Sequence, residues 1–145
     1  MNALVEDFIK SQNNNKVKKL HKDFRNARDI HGNALVHYLA KHNFQICLQN
    51  RKIVDLKSDS NLEGYNAMAP VHFAARYGIE KTTTEQLVTM ILNSMDNPLQ
   101  QDKFGNTVLH HSILNGDSEI RRALTVLLVH MEVVVGVRSK WRLRQ

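Results

Sequence analysis

Histidine is the residue type whose number and spacing most suggest a chemical role in this chain. The sequence contains eight histidines, and His37, His72 and His110 follow one another at intervals of 35 and 38 residues. Imidazole is a common zinc ligand and a frequent general base. The near-equal spacing instead predicts three equivalent places in successive helix layers, which lie about 8–10 Å apart. Because zinc–nitrogen bonds measure about 2.0–2.1 Å, we expect that these rings share no metal ion.

Other groups that perform catalysis are present but do not form a recognisable motif. The sequence has no phosphate-binding glycine loop, no G-x-S-x-G elbow and no H-E-x-x-H pair. Asp29 and Asp102 each open a short turn, where bonds from backbone amides to the carboxylate explain them without catalysis. Cys47 is the only cysteine, which excludes an intramolecular disulfide and a closed cysteine-based zinc site. We therefore predict a protein that is not an enzyme and has no cofactor.

The composition is typical of one soluble globular domain. Of 145 residues, 42% are hydrophobic and 23% are charged, which is close to ordinary globular averages. No apolar run reaches the roughly 18 residues that a membrane-spanning helix needs, so no membrane span is expected. Glu6 and Asp7 lie where a secretory signal would have its apolar core, so we do not expect such a signal here. We expect a cytoplasmic location, with the nucleus as the alternative.

Three stretches of the chain are similar to one another. Residues 29–43, 61–78 and 102–116 align on the three histidines, with a period close to the ~33 residues of one well-known repeat. The pattern resembles the ankyrin-repeat family, in which Asp-x-x-Gly precedes Thr-Pro-Leu-His, two alanines and a further glycine. The residues that match structural positions of that family are Asp29, Gly32, His37, Pro70, His72, Gly78, Asp102, Gly105, Thr107, His110 and Gly116.

The resemblance implies an all-α fold. The expected architecture is an ankyrin-repeat solenoid of about three to four stacked helix-turn-helix units with hairpin loops. In the family the repeated histidine hydrogen-bonds across neighbouring repeats, which implies a structural role for the three rings. The implied divisions are a degenerate N-terminal repeat at 1–27, a repeat at 28–60, a repeat with a hairpin insertion at 61–100, a repeat at 101–134 and a basic tail at 135–145.

Turn and cap residues lie where the physical chemistry of such units needs them. Gly32 and Gly105 follow polar stretches at turns that require positive φ, which glycine adopts at least cost. Thr107 stands before a short helix, where its hydroxyl is expected to accept a hydrogen bond from an unpaired amide. Pro70 suits a first helical position because the N–H that it lacks is not needed there.

The short first helix of a unit is predicted to stop at a glycine, and the longer second helix is predicted from apolar spacing. We expect the first helices to stop at Gly78 and Gly116. The i, i+3, i+4 pattern gives each longer helix one apolar face, formed by Leu87, Val88, Ile91 and Leu92 or by Ile120, Leu124, Leu127 and Leu128. Such helices need neighbouring units, because one stripe alone buries too little surface.

Three features depart from the family pattern. Three extra residues precede Pro70, within 65–68, and Ala34-Leu35 stands where the family has Thr-Pro. After Met131 no further Asp-x-x-Gly unit follows. The last repeat would then expose an apolar face, and three explanations stay open: a longer array, a partner on that face, or residues 133–137 folded back as a cap.

Charge is unevenly distributed along the chain. Residues 1–60 have a balance of +5, residues 61–134 of −3 and residues 135–145 of +4, within a total of +6. The densest basic stretch, 16–28, fits an amphipathic helix with a cationic outer face, and Trp141 lies in the basic tail. We interpret both segments as solvated surface in preference to nucleic-acid or membrane contacts.

The resemblance implies a non-enzymatic protein–protein interaction module that works as a monomer or as part of a longer array. Its partner is then another protein, whose identity the sequence does not give. The family's contact positions map, residue by residue, onto Ile30, His31, Asn33, Lys41, His42, Leu62, Glu63, Arg76, Tyr77, Lys103, Phe104, Asn106, Leu114 and Asn115.

Two alternative functions stay open. The stretch 70–78 is similar to part of the long cytoplasmic ankyrin array of transient receptor potential cation channels of the A type. On that interpretation the chain is a truncated segment of such a channel. The other alternative is a small inhibitor of Rel-type transcription factors, although residues 1–60 do not supply the acidic hairpin face expected for it.

Overall fold

The computed structural model describes residues 27–42 and 59–131. Every regular element in these two ranges is helical, so the expected all-α class is confirmed for them. The predicted N-terminal repeat up to residue 26, the connection 43–58 and the tail beyond residue 131 lie outside the described residues. The helices are α1 (Leu35–His42), α2 (Pro70–Tyr77), α3 (Lys81–Ser94), α4 (Val108–Ile113) and α5 (Ser118–Met131), with a 3-10 turn at Tyr65–Ala67.

The helices are arranged in two layers of different length. The short helices α1, α2 and α4 have 8, 8 and 6 residues, and α2 packs against both of the others. The long helices α3 and α5 have 14 residues each and pack against one another. Each long helix also packs against the short helix that precedes it. None of these helices combines the length and the apolar character that a bilayer crossing requires.

The core lies between the two layers and between successive short helices. Ala74 and Ala75 of α2 are completely buried, and their small side chains let α1 and α4 approach closely on both sides. The predicted apolar faces of α3 and α5 are buried, except that Leu127 is only half-buried. Each fully buried leucine or isoleucine contributes roughly 1.5–3 kcal/mol, so the contacts between neighbouring helices supply most of the stability.

The two hairpin glycines have the backbone that the sequence predicts. Gly32 has φ of 85° and Gly105 has φ of 82°. A Cβ built on either residue would meet no atom within 4 Å. Glycine is therefore needed at these turns for its conformation and not for space.

Of the two predicted helix ends, the one at Gly78 is confirmed and the one at Gly116 is wrong. Pro70 is the first residue of α2, as predicted, and α2 ends at Tyr77. Gly78 has φ of −59°, so its φ does not explain the glycine; a Cβ there would lie 2.5 Å from Thr84. In the third unit α4 ends at Ile113, three residues before Gly116, so the predicted stop at Gly116 is wrong.

The predicted cap at Thr107 is also different in the structure. Its hydroxyl caps no backbone amide; it lies 2.9 Å from the Nδ1 atom of His110. That same ring nitrogen accepts the backbone N–H of Thr107 at 3.0 Å. The histidine one turn into the helix therefore satisfies the backbone amide of Thr107 itself, one of the amides that a helix N-terminus leaves unpaired.

The three-residue insertion forms a tight left-handed turn in the second hairpin. Asn66 and Ala67 have φ of 56° and 57°. An L-residue in this region costs roughly 1–2 kcal/mol, less for Asn than for Ala. The carbonyl of Asn66 accepts the backbone N–H of Lys103 at 2.7 Å, which joins the second hairpin to the third.

Candidate functional site

The three evenly spaced histidines occupy matching places. In each of them Nδ1 accepts the backbone N–H of the residue three positions earlier, just before a short helix. The donors are 3.0 Å from the ring in all three cases and belong to Ala34, Ala69 and Thr107. The same bond therefore begins α1, α2 and α4.

The other ring nitrogen of the first two histidines reaches a backbone carbonyl ahead of the next hairpin. His37 Nε2 donates to the carbonyl of Leu62 at 2.9 Å, and His72 Nε2 donates to that of Gln100 at 3.1 Å. Both acceptors lie in the segment that leads into the following hairpin. Burial lowers the pKa of His37 and of His72 to about 4, so both rings are neutral near pH 7. With both nitrogens engaged, neither ring is available as a base or a metal ligand.

Asp29 and Asp102 organise their hairpins in the same way. One carboxylate oxygen of Asp29 accepts the backbone N–H groups of residues 31 and 33 at 2.9 and 2.8 Å. One oxygen of Asp102 accepts those of residues 104 and 106, each at 2.9 Å. Burial by itself raises the pKa of Asp29 and of Asp102. Hydrogen bonds hold each pKa below its usual value; they come from Tyr38 and the hairpin amides for Asp29, and from the hairpin amides and His111 for Asp102. This is the turn chemistry that the sequence suggests for both residues.

The second oxygen of each aspartate binds the side chain nine residues later. Asp29 accepts the hydroxyl of Tyr38, and Asp102 binds His111 Nε2 at 2.8 Å. His111 is 1% exposed, and its Nδ1 has no hydrogen-bond partner. Burial lowers the pKa of His111, although the Asp102 charge opposes this. The Asp–His pair resembles part of a catalytic triad, but its burial leaves the ring out of reach of a substrate.

Sequence reasoning missed this pairing, although a weak signal for it exists. Tyr38 and His111 each directly follow a repeated histidine and stand nine residues after an aspartate. The second unit has Phe73 at this position, and its ring packs edge-on against that of His37 at 5.4 Å. Because Tyr38 and His111 are unlike side chains, the alignment of the units does not by itself show that both bind an equivalent carboxylate.

Most of the predicted contact residues are accessible. Ile30 is 95% exposed and Phe104 is 69% exposed, and Tyr77 and Leu114 are about half exposed. Further exposed members are His31, Glu63 and Lys103. The half-buried members are Asn33, Lys41, His42, Leu62, Arg76 and Asn106.

The expectation for Asn115 is corrected by its surroundings. This residue is 2% exposed, so it cannot touch a partner. Its side-chain amide donates to the carbonyl of Ala75 at 2.9 Å and to that of Gly78 at 3.0 Å. Asn115 therefore ties the third unit to the end of α2. Two further members also link units, because Asn33 Oδ1 accepts the N–H of Tyr65 at 2.8 Å and Leu62 packs against the core.

The hairpins and the short helices form one surface, which we call the inner face. A small groove of about 190 Å³ runs along it between the first hairpin and α2. Tyr38 and Phe73 line this groove together with His31 and Lys41. Beyond it, the Tyr77 ring lies with its centroid 5.3 Å from Lys41 Nζ and 5.9 Å from Arg76 Cζ. The inner face thus combines aromatic rings with cationic groups.

The opposite surface, formed by α3 and α5, we call the outer face. A depression of about 700 Å³ there is lined by both acidic and basic side chains, among them Lys81, Glu85, Glu119 and Arg122. Val126 is 67% exposed at its edge. Its mixed charges give this larger depression no preference for a ligand of one sign.

The described ranges hold no cluster of three or more His, Cys, Asp or Glu side chains placed to bind a metal. The repeated histidine bonds and aspartate turns relate the units to one another without reference to any other protein. Comparison of the chain with protein-family models and with curated proteins gives no match.

Proposed function

We propose that this chain is a non-enzymatic protein–protein interaction module of the ankyrin-repeat type. One observation supports this most: the same ring-to-backbone bond begins three short helices, and the rings of the first two histidines also bind a carbonyl ahead of the next hairpin. A chain built from such units is stabilised by contacts between neighbours and presents its loops along one side. We place this protein in the cytoplasm or the nucleus, where one unpaired cysteine is the normal state.

Binding through the inner face is supported by the exposed side chains there. Phe104 and Ile30 extend from hairpin tips, and Tyr77 lies at the end of α2. Large apolar and aromatic residues at the centre of an interface supply most of its binding free energy, often 2 kcal/mol or more each. The outer face has isolated exposed valines but no described aromatic residue.

A non-enzymatic role is supported by how the polar groups are used. Each titratable side chain that suggested chemistry, in the histidines and in Asp29 and Asp102, is already bonded to backbone or to a neighbour. Catalysis needs an accessible acid, base or nucleophile next to a space for substrate. On the inner face such groups instead hold the hairpins in place.

Photo-crosslinking from chosen positions tests this function. Benzoylphenylalanine is introduced in place of Phe104 or Tyr77 on the inner face, and in place of Val126 on the outer face, and the protein is expressed in its native cells. We expect the first two positions to capture the same partner protein and position 126 not to capture it. Phe104→Ala and Tyr77→Ala should each reduce its capture. A partner captured only from position 126, or at equal levels from all three, would refute the proposal.

A further inference from the structure

The three short helices can be compared position by position, because each contains one of the repeated histidines. Three residues after that histidine stand Ala40, Ala75 and Ile113. The two alanines are 2% and 0% exposed, whereas Ile113 is 51% exposed. The histidines differ in the same way, since the first two are buried and His110 is exposed. Burial at these two positions therefore comes from the following short helix, which α4 lacks among the described residues.

The long helices show the same difference. Because α3 and α5 have 14 residues each, they can be aligned from end to end. Leu92 of α3 is 4% exposed, and the equivalent residue of α5, Val129, is 40% exposed. The described structure thus ends in a partly apolar surface at the place where a following unit would pack. We call this surface the end face, and its members are His110, Ile113 and Val129.

His110 has one ring nitrogen without a partner in the part of the chain that the structure describes. Its Nδ1 atom is engaged at the start of α4, as in the other units. In the first two histidines Nε2 donates to a carbonyl 25 or 28 residues later, and these spacings lead from His110 to residues 135–138. Gln100 is also the sixth residue after α3, and the sixth residue after α5 is Val137. Both counts place the acceptor that His110 needs in the same short segment, outside the described residues.

A further unit of the same kind fits the end face poorly. The alanines of α1 and α2 let the next short helix approach closely, and Ile113 puts a larger, branched side chain at that place. On the long helices, Arg121 is exposed where α3 has the buried Thr84. An extended chain needs less room than a helix, since extended neighbours lie about 4.7–4.9 Å apart and packed helices about 8–10 Å.

The segment that follows α5 has the composition of such an extended chain. Residues 133–137 read Val-Val-Val-Gly-Val, and valine is enriched in extended backbone because its branched side chain packs well there. Four apolar side chains in five residues supply apolar surface for Ile113 and Val129, and the backbone supplies carbonyls for His110. The arithmetic of the repeat and the chemistry of this segment thus agree.

We propose that residues 132–138 cross the end face as an extended chain, so that a carbonyl near Val137 accepts the Nε2 proton of His110 and the valines cover Ile113 and Val129. The tail then closes the stack where a fourth unit would otherwise pack. This closure favours a self-contained module over a segment of a longer channel array. The inference concerns the end of the stack and does not depend on the partner that the inner face binds.

Photo-crosslinking within the full-length chain tests this inference. Benzoylphenylalanine replaces Ile113, the irradiated protein is cut after its glutamates, and the products are identified by mass spectrometry. Cleavage after Glu119 and Glu132 separates position 113, most of α5 and residues 133–145 from one another. We expect position 113 to be joined to a residue of 133–137.

The control and the origin of the captured segment decide how the crosslink is interpreted. The same probe in place of Val126, on the outer face, should not capture residues 133–145. In an equal mixture of ¹⁵N-labelled and unlabelled protein, products that always combine two pieces of the same isotope support a cap within one chain. Products of mixed isotope would assign the end face to a second copy and overturn the inference. Equal capture from both positions, or no capture of residues 133–145 from position 113, would also overturn it.

A stability measurement gives a second test that needs no bulky probe. Under a covering tail, Ile113→Gln removes apolar contacts and buries an amide, so the Tm of the full-length chain should fall by about 4 °C or more. Val126→Gln is the matched control, at a helical position that is 67% exposed, and should change the Tm by less than about 2 °C. Equal Tm values for the two variants would mean that nothing covers Ile113 and would overturn the inference.

Discussion

The rings of His72 and His111 lie against each other, with centroids 5.0 Å apart and planes inclined by 37°. His72 binds the carbonyl of Gln100 just ahead of the third hairpin, and His111 holds that hairpin through Asp102. Two adjacent buried imidazoles are tolerated only when they are neutral, because a proton on one disfavours a proton on the other. The same rings that join the units therefore make the stack sensitive to acid.

Acid should destabilise the fold before its carboxylates titrate. Burial lowers the pKa of His37 and of His72 from 6.5 to about 4. Between these two values the unfolded chain binds more protons than the folded chain, so the free energy of unfolding falls as pH falls from 6.5 towards 4. The loss is at most about 3 kcal/mol for each ring. Urea denaturation followed by circular dichroism at neutral, mildly acidic and more acidic pH measures it.

His72→Asn provides the control for that pH dependence. The variant is less stable at neutral pH because it loses the ring's packing, but its stability should fall less steeply between pH 6.5 and 4. An unfolding free energy that stays constant across this window in the parent chain would contradict the buried, neutral state of these rings.

The left-handed turn of the second hairpin gives a prediction of increased stability. Ala67 has φ of 57°, a region that glycine enters without the steric cost of a Cβ. Ala67→Gly should therefore raise the free energy of unfolding by about 1 kcal/mol, which thermal denaturation detects as a higher Tm. Ala123→Gly, inside α5, is the matched control and should lower it by about 0.5–1 kcal/mol. A lower Tm for Ala67→Gly would show that the turn has another conformation.

Local features of the fold were predictable from the sequence, and contacts between units were not. The backbone of Gly32 and Gly105 follows from turn chemistry within a few residues, and the start of α2 follows from Pro70. The cap at Thr107 was mispredicted because its hydroxyl lies against the ring nitrogen of His110 and not against an amide of the helix. The preference of a single residue type for the N-cap position does not take account of such a contact between two side chains.

In the candidate site, too, residues set by local turns were predictable from the sequence, and contacts between units were not. The exposed hairpin residues Ile30 and Phe104 follow from their place beside the turn glycines. Asn115 was predicted as a contact residue, but carbonyls some forty residues earlier in the chain bury it, and no local pattern reports them. The convergence of Lys41 and Arg76 on Tyr77 depends likewise on how two units are spaced.

Removal of the Asn115 side chain should test the contact between the second and third units. Asn115→Ala leaves the buried carbonyls of Ala75 and Gly78 without a donor, which costs about 1–3 kcal/mol. The matched control is Asn93→Ala in α3, an exposed helical position where alanine is neutral or slightly stabilising. Urea denaturation of both variants measures the difference. Equal stability of Asn115→Ala and the parent chain would mean that this side chain does not join the units.

Two glycine substitutions should distinguish a closely packed position from an open one. A Cβ on Gly78 would lie 2.5 Å from Thr84 and 2.7 Å from the carbonyl oxygen of Ala74, so Gly78→Ala must displace α3 or the end of α2. Such overpacking costs about 1–3 kcal/mol. A Cβ on Gly116 meets no atom within 4 Å, and Gly116→Ala should change the unfolding free energy by less than about 0.5 kcal/mol. Thermal denaturation measures both variants, and a larger loss for Gly116→Ala than for Gly78→Ala would contradict the packing of α2 against α3.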